Sequence, residues 1–464
     1  MSDFTLFREK MEQAKVSEAA VKSFERNYLS LVNQETGMIS EDSISPVNDL
    51  TNLSSLSSNS TTFDPGLLAK TVVIKLNGGL GTSMGLQKAK SLLPVRGDKT
   101  FLDIIVDQIT YLRETTGAQV KFLLMNSFST SEDTLEHLEQ YEDINLAKAE
   151  DVEMMQNQIP KIDAKTLAPA IDKEHPSNEW CPPGHGDLYA TIAGSGWLDK
   201  LLDAGVNYAF VSNSDNLGAV LDPNILSYFA NSNKPFLMEA TRRTEADKKG
   251  GHLAIRKSDG QLLLREVAQC PNEDLEKFQN INTHQFFNTN SLWIRLDALK
   301  EALQKHDGSL ALPMIKNCKT IDPRDKQSTP VFQLETAMGA AIECFPDASA
   351  ICVPRSRFAP VKTTSDLFAL RSDAYETTKD GRIALIATRD GEPPVISLSE
   401  EYRMVDILEG LGTPSLKDAV KITISGPVRF TENVTIKGTV TFINKSAETR
   451  WIASGVYEDE EVEL

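Results

Sequence analysis

Thr71-Val72-Val73-Ile74-Lys75-Leu76 runs directly into Asn77-Gly78-Gly79-Leu80-Gly81-Thr82-Ser83-Met84-Gly85, and this junction decides the fold. The first six residues read as a buried strand, rich in β-branched and aliphatic side chains. Four glycines within the next nine residues let backbone N–H groups approach a ligand closely and point at phosphate oxygens. Lys88 and Lys90 follow within a few positions, where a lysine neutralises phosphate charge. The spelling excludes two common glycine loops. A P-loop ends G-K-[ST], whereas Gly85 is followed by Leu86 and Gln87. The dinucleotide fingerprint needs G-x-G-x-x-G, and after Gly79-x-Gly81 the next glycine, Gly85, comes one position late. The second strand also ends Met125-Asn126, with no acid for a ribose.

Outward from the loop, strand and helix patterns alternate. FLDIIVDQITYLRETTG (101–117) is an amphipathic helix stopped by glycine; VKFLLMN (120–126) and YAFVSNSDN (208–216) are strands. PFLMEATRR (235–243) and SLWIRL (291–296) are further strands, while LETAMGAAIECF (334–345) and SDLFALRSDAY (365–375) read as helices. The pattern predicts an α/β fold, a sheet covered by helices on both faces. Helical spacing of Phe7, Met11 and Ala14, then Val21, Phe24, Tyr28 and Leu31, predicts an N-terminal helical segment over 4–32. TNLSSLSSNS (51–60) reads as a flexible or extended connection. Near the other end Ile422, Val428, Val434 and Val440 recur every six residues, as do Ile424, Phe430, Ile436 and Phe442. That doubled period predicts four stacked β-helix rungs in register, each burying the same two positions; a short antiparallel meander is the alternative.

The chain has 464 residues, too many for one typical core. The expected division is 1–70, helical segment and linker; 71–380, the central domain; and 381–464, a small β-helix domain. A net charge of −18 argues against a nucleic-acid partner, since phosphate backbones demand a basic surface, but leaves room for one locally positive pocket. The acidic run Glu458–Glu461 reads as a solvated end. No apolar run reaches the roughly 18 residues of a membrane span. The first residues lack an apolar stretch, so no signal peptide is expected. Five scattered cysteines without a C-x-x-C pair fit a reducing compartment, and cytoplasm is the expectation.

Read together, six further features resemble one family. LNGGLGTSMG followed by the lysine-rich turn and SLLPV is similar to the signature of eukaryotic-type UTP–glucose-1-phosphate uridylyltransferases. The other segments agree in order: Gln156–Pro160, Pro182–Asp187, Val211–Gly218, Asn288–Trp293, Gln333–Ala337 and Arg355–Thr363. The resemblance runs from about residue 70 to 375, with a weaker echo in the C-terminal repeats. It implies a Rossmann-like nucleotidyltransferase domain, a C-terminal left-handed β-helix, UTP and glucose 1-phosphate as substrates, and Mg²⁺ as cofactor. It implies that Leu76, Asn77, Gly78, Gly79, Gly81 and Thr82 bind the nucleotide, with Gln156 on the uracil edge and Gly184 on the base. His185 is placed on the sugar phosphate, Asn288 on the substrate, and Lys90 and Lys362 on the phosphates at the reacting centre. Arg355 and Arg357 are given structural roles.

Some of these assignments also stand on chemistry. Two glycines flank His185 after two prolines, so backbone and ring can both face a ligand. An amide such as Gln156 offers one donor and one acceptor face to a base. Asp215 follows a strand, where open α/β sheets collect ligands, and a carboxylate there can bind Mg²⁺; an Asx turn is the alternative. Asn213 is expected at the ribose, the sugar or the metal shell. The sequence departs from the family at Ala89, where proline is expected, and at Cys181, a position usually aromatic. Its C-terminal region is short for the family's contacts between subunits, through which a homo-oligomer is expected. The implied reaction yields UDP-glucose and pyrophosphate, reversibly. Transfer to another sugar 1-phosphate, or binding of nucleotide-sugar without catalysis, are the alternatives.

Overall fold

The computed structural model describes residues 4–57, 64–144 and 149–464. Its centre is a mixed, mainly parallel sheet. The strands that position the site are β1 (Thr71–Asn77), β2 (Lys121–Asn126), β3 (Glu153–Met155), β4 (Tyr208–Asn213), β5 (Phe236–Arg242), β6 (Phe286–Arg295) and β7 (Ser349–Cys352). They lie in the order β7-β5-β6-β4-β1-β2-β3, and only β6 runs antiparallel to its neighbours.

Every residue of β1 is buried, as expected of a central strand with both faces covered. Val73 joins a core with Phe101 and Ile105 of helix α1 (Phe101–Thr116), while Val72, Ile74 and Leu76 pack on the opposite face with Leu188 and Ile192 of α2 (Leu188–Gly194). Period-two alternation thus feeds two cores from one strand. Helix α1 starts at a Thr100–Asp103 capping box, and it stops at Gly117, φ 70°, as its sequence predicts.

The N-terminal segment is helical as expected, and three other expectations need correction. The N-terminal segment is two helices, Thr5–Gln13 and Glu18–Val32, because Lys15 turns to φ 58° and Ser17 caps the second, accepting from the Ala20 N–H at 3.3 Å. Ala14 is exposed in the break, while Phe7, Met11, Phe24 and Tyr28 share a small core with Cys181. Residues 51–57 are no open connection: Thr51–Asn52 pairs with β7 and Leu53–Ser57 is helical, residues 58–60 lying outside the described residues. The 334–345 stretch is the end of strand Pro330–Thr336 followed by a 3-10 turn, Met338–Cys344. Gly339 packs there against Asn288 and Leu264, where an added Cβ would come within 2.8 Å of each.

The C-terminal repeats bury as expected: all eight positions from Ile422 to Phe442 are at most 5% exposed. Their stacking differs. Strands Ser415–Ser425 and Val434–Ile443 pair in parallel with Ile422 opposite Val440 and Ile424 opposite Phe442, so residues eighteen apart stack and successive six-residue units turn to new sides. Val428–Phe430 pairs separately with Arg450–Ile452, also in parallel. Parallel pairing rules out the meander. Among the described residues, no helix is long and apolar enough to cross a membrane.

Candidate active site

Because β4, β1 and β2 run in parallel, Asn213, Asn77 and Asn126 emerge at one carboxyl edge. The glycine loop leaves β1 there, beside the turn after β4, and the Ser214 N–H donates to the Leu76 carbonyl at 3.1 Å. The Asn77 amide is committed sideways, donating to Asn126 Oδ1 at 2.7 Å and Thr134 Oγ1 at 3.0 Å. Gly79 and Thr82 are exposed, and a Cβ on Gly79 would meet nothing within 4 Å. Gly78 is the reverse case: a Cβ there would stand 2.6 Å from Gln156 Oε1. Gln156 in turn donates from Nε2 to the Gly184 carbonyl at 3.1 Å. Gly81 lies over Lys90, where a Cβ would come 3.4 Å from Lys90 Cγ. One side chain therefore joins the loop to the Pro-Pro-Gly-His turn and brings Gly78, Gln156 and Gly184 together.

Asp215 is the hub. Its Oδ2 accepts from Lys90 Nζ at 2.7 Å, and Lys90 also donates to the Val361 carbonyl. The Val361 N–H returns to the Asp215 carbonyl at 3.2 Å. Asn216 completes the joint, donating to the Arg357 carbonyl at 3.1 Å and accepting from the Ala359 N–H at 3.0 Å. The segment bearing Lys362 is thereby docked on the turn bearing Asp215, although 147 positions separate the two residues in the chain. Lys88 is set apart on the surface, facing Asp133 at 3.7 Å. Ala89 sits at φ −51°, ψ 130°, the backbone geometry proline would impose, so the turn keeps its course without the ring.

Asp215 Oδ1 is buried and has no partner. An orphaned carboxylate oxygen beside the glycine-loop edge suits Mg²⁺, which takes one or two carboxylates and completes its shell with phosphates and water. Among the described residues no cluster of three metal-ligating side chains exists, so a cage built wholly from protein is absent there. Asn213 stands two residues away, partly exposed, at the end of β4.

His185 is legible in detail. Its Nδ1 accepts from the Met338 N–H at 3.0 Å, which leaves Nε2 as the N–H donor of a neutral ring. Burial first, and then the charge of Lys362, pushes its pKa down to about 4. The glycines beside it serve packing as well as approach: Gly184 is at φ +79° and its Cβ would meet the Thr336 carbonyl at 2.5 Å, while Gly186 would strike Thr336 Oγ1 at 2.3 Å. Lys362 is exposed on the rim of a cleft of about 510 Å³ that Arg355, Phe358 and Ile396 also line. Its backbone N–H donates to Asp366 Oδ2 at 2.8 Å, the same oxygen that accepts from the Thr363 N–H in the capping box of helix α3 (Thr364–Arg371).

Sequence reasoning did not single out two residues near the site. Asn216 was spelled within the Asp215 motif but had no distinguishing signal until its partners were known. Glu266 carried no signal at all. Its carboxylate lies over Gly251, whose Cβ would come 2.6 Å from it; burial raises its pKa and the Lys362 charge opposes that. Asn288 donates its N–H to the Gly251 carbonyl at 3.2 Å, with its side chain held by Asn290. Arg355 and Arg357 do act structurally, pairing with Asp247 and Glu239.

The sequence model of the family described as UTP–glucose-1-phosphate uridylyltransferase matches residues 21–437. The enzyme of that name from Solanum tuberosum is 41% identical over 84% of this chain and 80% of its own length. The Saccharomyces cerevisiae enzyme is 42% identical over 81% of this chain and 74% of its own. A UDP-glucose pyrophosphorylase from Leishmania major, solved with UDP-glucose, superposes with a TM-score of 0.94 at 46% identity over 100% of both chains. A Trypanosoma brucei relative gives 0.91 at 46% identity over 99% of each. With the family model spanning most of the sequence and the neighbours superposing end to end, the chain belongs to the UTP–glucose-1-phosphate uridylyltransferase family.

Proposed function

We propose that the protein transfers the uridylyl group of UTP to glucose 1-phosphate, releasing pyrophosphate. The observation that carries this reading is the joint of Lys90, Asp215 and the Lys362 segment at the open edge of the glycine loop, in a chain of this family. The sugar phosphate oxygen is already ionised at neutral pH, so the reaction needs no general base. That oxygen attacks the α-phosphorus of UTP in line and pyrophosphate leaves, one phosphoanhydride replacing another. Lys90, Lys362 and the loop amides of Gly78, Gly79 and Gly81 neutralise the charge that grows on the phosphate oxygens. His185 donates from Nε2 to the sugar phosphate, and the Glu266 carboxylate accepts from sugar hydroxyls. Asp215, with Asn213 beside it, would hold Mg²⁺, which would supply charge neutralisation for the phosphates. Gln156 and Gly184 frame the uracil. Pyrophosphate release from UTP against a panel of sugar 1-phosphates tests the reading: glucose 1-phosphate should be the best acceptor and EDTA should silence the reaction. Release with every sugar but glucose would overturn it.

The reading carries the domain division at residues 70 and 380 and a left-handed β-helix at the C-terminus, supported by the eighteen-residue stacking offset. It also carries a homo-oligomer through that region, where Val420, Trp451 and Val456 are exposed. Sedimentation should show a species larger than the monomer that Trp451→Glu dissociates; an unchanged monomer in both would end this part of the proposal.

A further inference from the structure

Lys75 sits on β1 just before the glycine loop, and the reaction outlined above gives it no task. It is 1% exposed in the middle of the sheet, where an ammonium is heavily penalised and an apolar side chain would not be. Its Nζ donates to Ser212 Oγ at 2.8 Å and to the Ala219 carbonyl at 2.6 Å. Those two acceptors bracket the turn that presents Asp215. The next carbonyl, that of Val220, accepts from Arg357 at 2.8 Å. Arg357 belongs to the segment bearing Lys362 and is anchored by two 2.7 Å bonds to the fully buried Glu239. Two buried cations thus hold consecutive carbonyls of one turn, one from the strand that launches the glycine loop, the other from the Lys362 segment. Burial first, and Arg357 second, pull the Lys75 pKa down to about 7, with Glu239 and Asp215 opposing.

We propose that Lys75 is a positioning residue for the transfer: by tying Ser212 to Ala219 it sets Asp215 against Lys90 and, with Arg357, holds Asp215 and Lys362 as one unit. This rests on the transferase reading of the site. A neutral, apolar side chain of the same length fills the slot without making either bond, so Lys75→Met is the first variant. Its kcat, per folded enzyme, should fall by about tenfold or more, within the range a small misplacement costs, while the KM for glucose 1-phosphate moves little. The Mg²⁺ concentration that half-saturates UTP binding, read by calorimetry without sugar, should rise several-fold. Ser212→Ala removes one acceptor only and should shift the same quantities in the same direction, by less. A lowered melting temperature with kcat and the Mg²⁺ requirement unchanged would reduce Lys75 to scaffolding and overturn the proposal. If Lys75→Met does not melt cooperatively, Ser212→Ala decides alone, and wild-type kcat and Mg²⁺ dependence in it overturn the proposal equally. A wild type that releases no pyrophosphate strikes the transferase reading instead, whereas an active wild type with unaffected variants strikes only Lys75.

Discussion

On the proposed reading, Lys362 and His185 serve the transfer in different ways. Lys362 is exposed and its side chain is free of any protein ion pair among the described residues, so its charge is available when the transition state builds its own. Lys362→Ala should therefore lower kcat by roughly a hundredfold, the scale of one lost transition-state donor, with KM for glucose 1-phosphate much less affected. Steady-state kinetics in both directions checks this, because synthesis and pyrophosphorolysis share a transition state; retained turnover in both would leave Lys90 to act alone. Arginine should rescue poorly, being a planar fork where a compact charge is wanted. On the same reading His185 acts as a neutral donor. Its ring titrates near 6.5 unfolded and about 4 in the fold. Between those values the unfolded chain binds more protons, so the stability this site contributes is intact above about 6.5 and is lost as pH falls towards about 4. Ring-proton NMR should show a midpoint near 4, and His185→Gln should lose less stability over that interval. A midpoint at the ordinary value would remove the neutral-donor role.

At the scale of elements, legibility followed locality. Strand β1, its glycine loop and helix α1 were readable because hydrophobic period and terminal glycine lie within a few residues of what they specify. The 334–345 stretch misled for the opposite reason. Its helix-forming residues are overridden by distant partners, the Met338 backbone being held by His185 and Tyr189. The stacking of the six-residue units was likewise hidden, since a repeat fixes which residues are inside but not how many units close one turn. Asp215 was read at a strand end and lies in the turn just after β4, while the neighbours of Asn216 and Glu266 are gathered only by the fold. Two glycines now separate packing from ligand approach. Gly186→Ala should cost about 1–3 kcal/mol of stability, the range for overpacking, read by denaturant titration. Gly79→Ala should leave stability alone and raise the KM for UTP, because only the ligand side is open to its methyl group; an unaltered KM would mean that UTP does not approach Gly79.

Across the whole molecule the C-terminal region is continuous with the central core. Leu408, Leu411 and Leu416 share one apolar cluster with Phe101, Leu367 and Leu370, and Met404 packs on Gly85 while Arg403 donates to the Ser83 carbonyl at 3.3 Å. The joint between the Asp215 turn and the Lys362 segment has a consequence for biosynthesis. Its two halves are made far apart in time, and β7, which pairs with β5, emerges from the ribosome only shortly before Lys362. At roughly 5–20 residues per second, the 147 intervening positions take on the order of ten seconds to appear. During that interval the Asp215 turn and the edge of β5 must wait without their partners, which exposes sheet edge and apolar surface. A nascent chain thus holds its glycine loop early and docks the Lys362 segment late, in one non-local closure of high contact order. Chaperone demand should therefore peak in that window of synthesis and fall once residue 362 is clear of the ribosome.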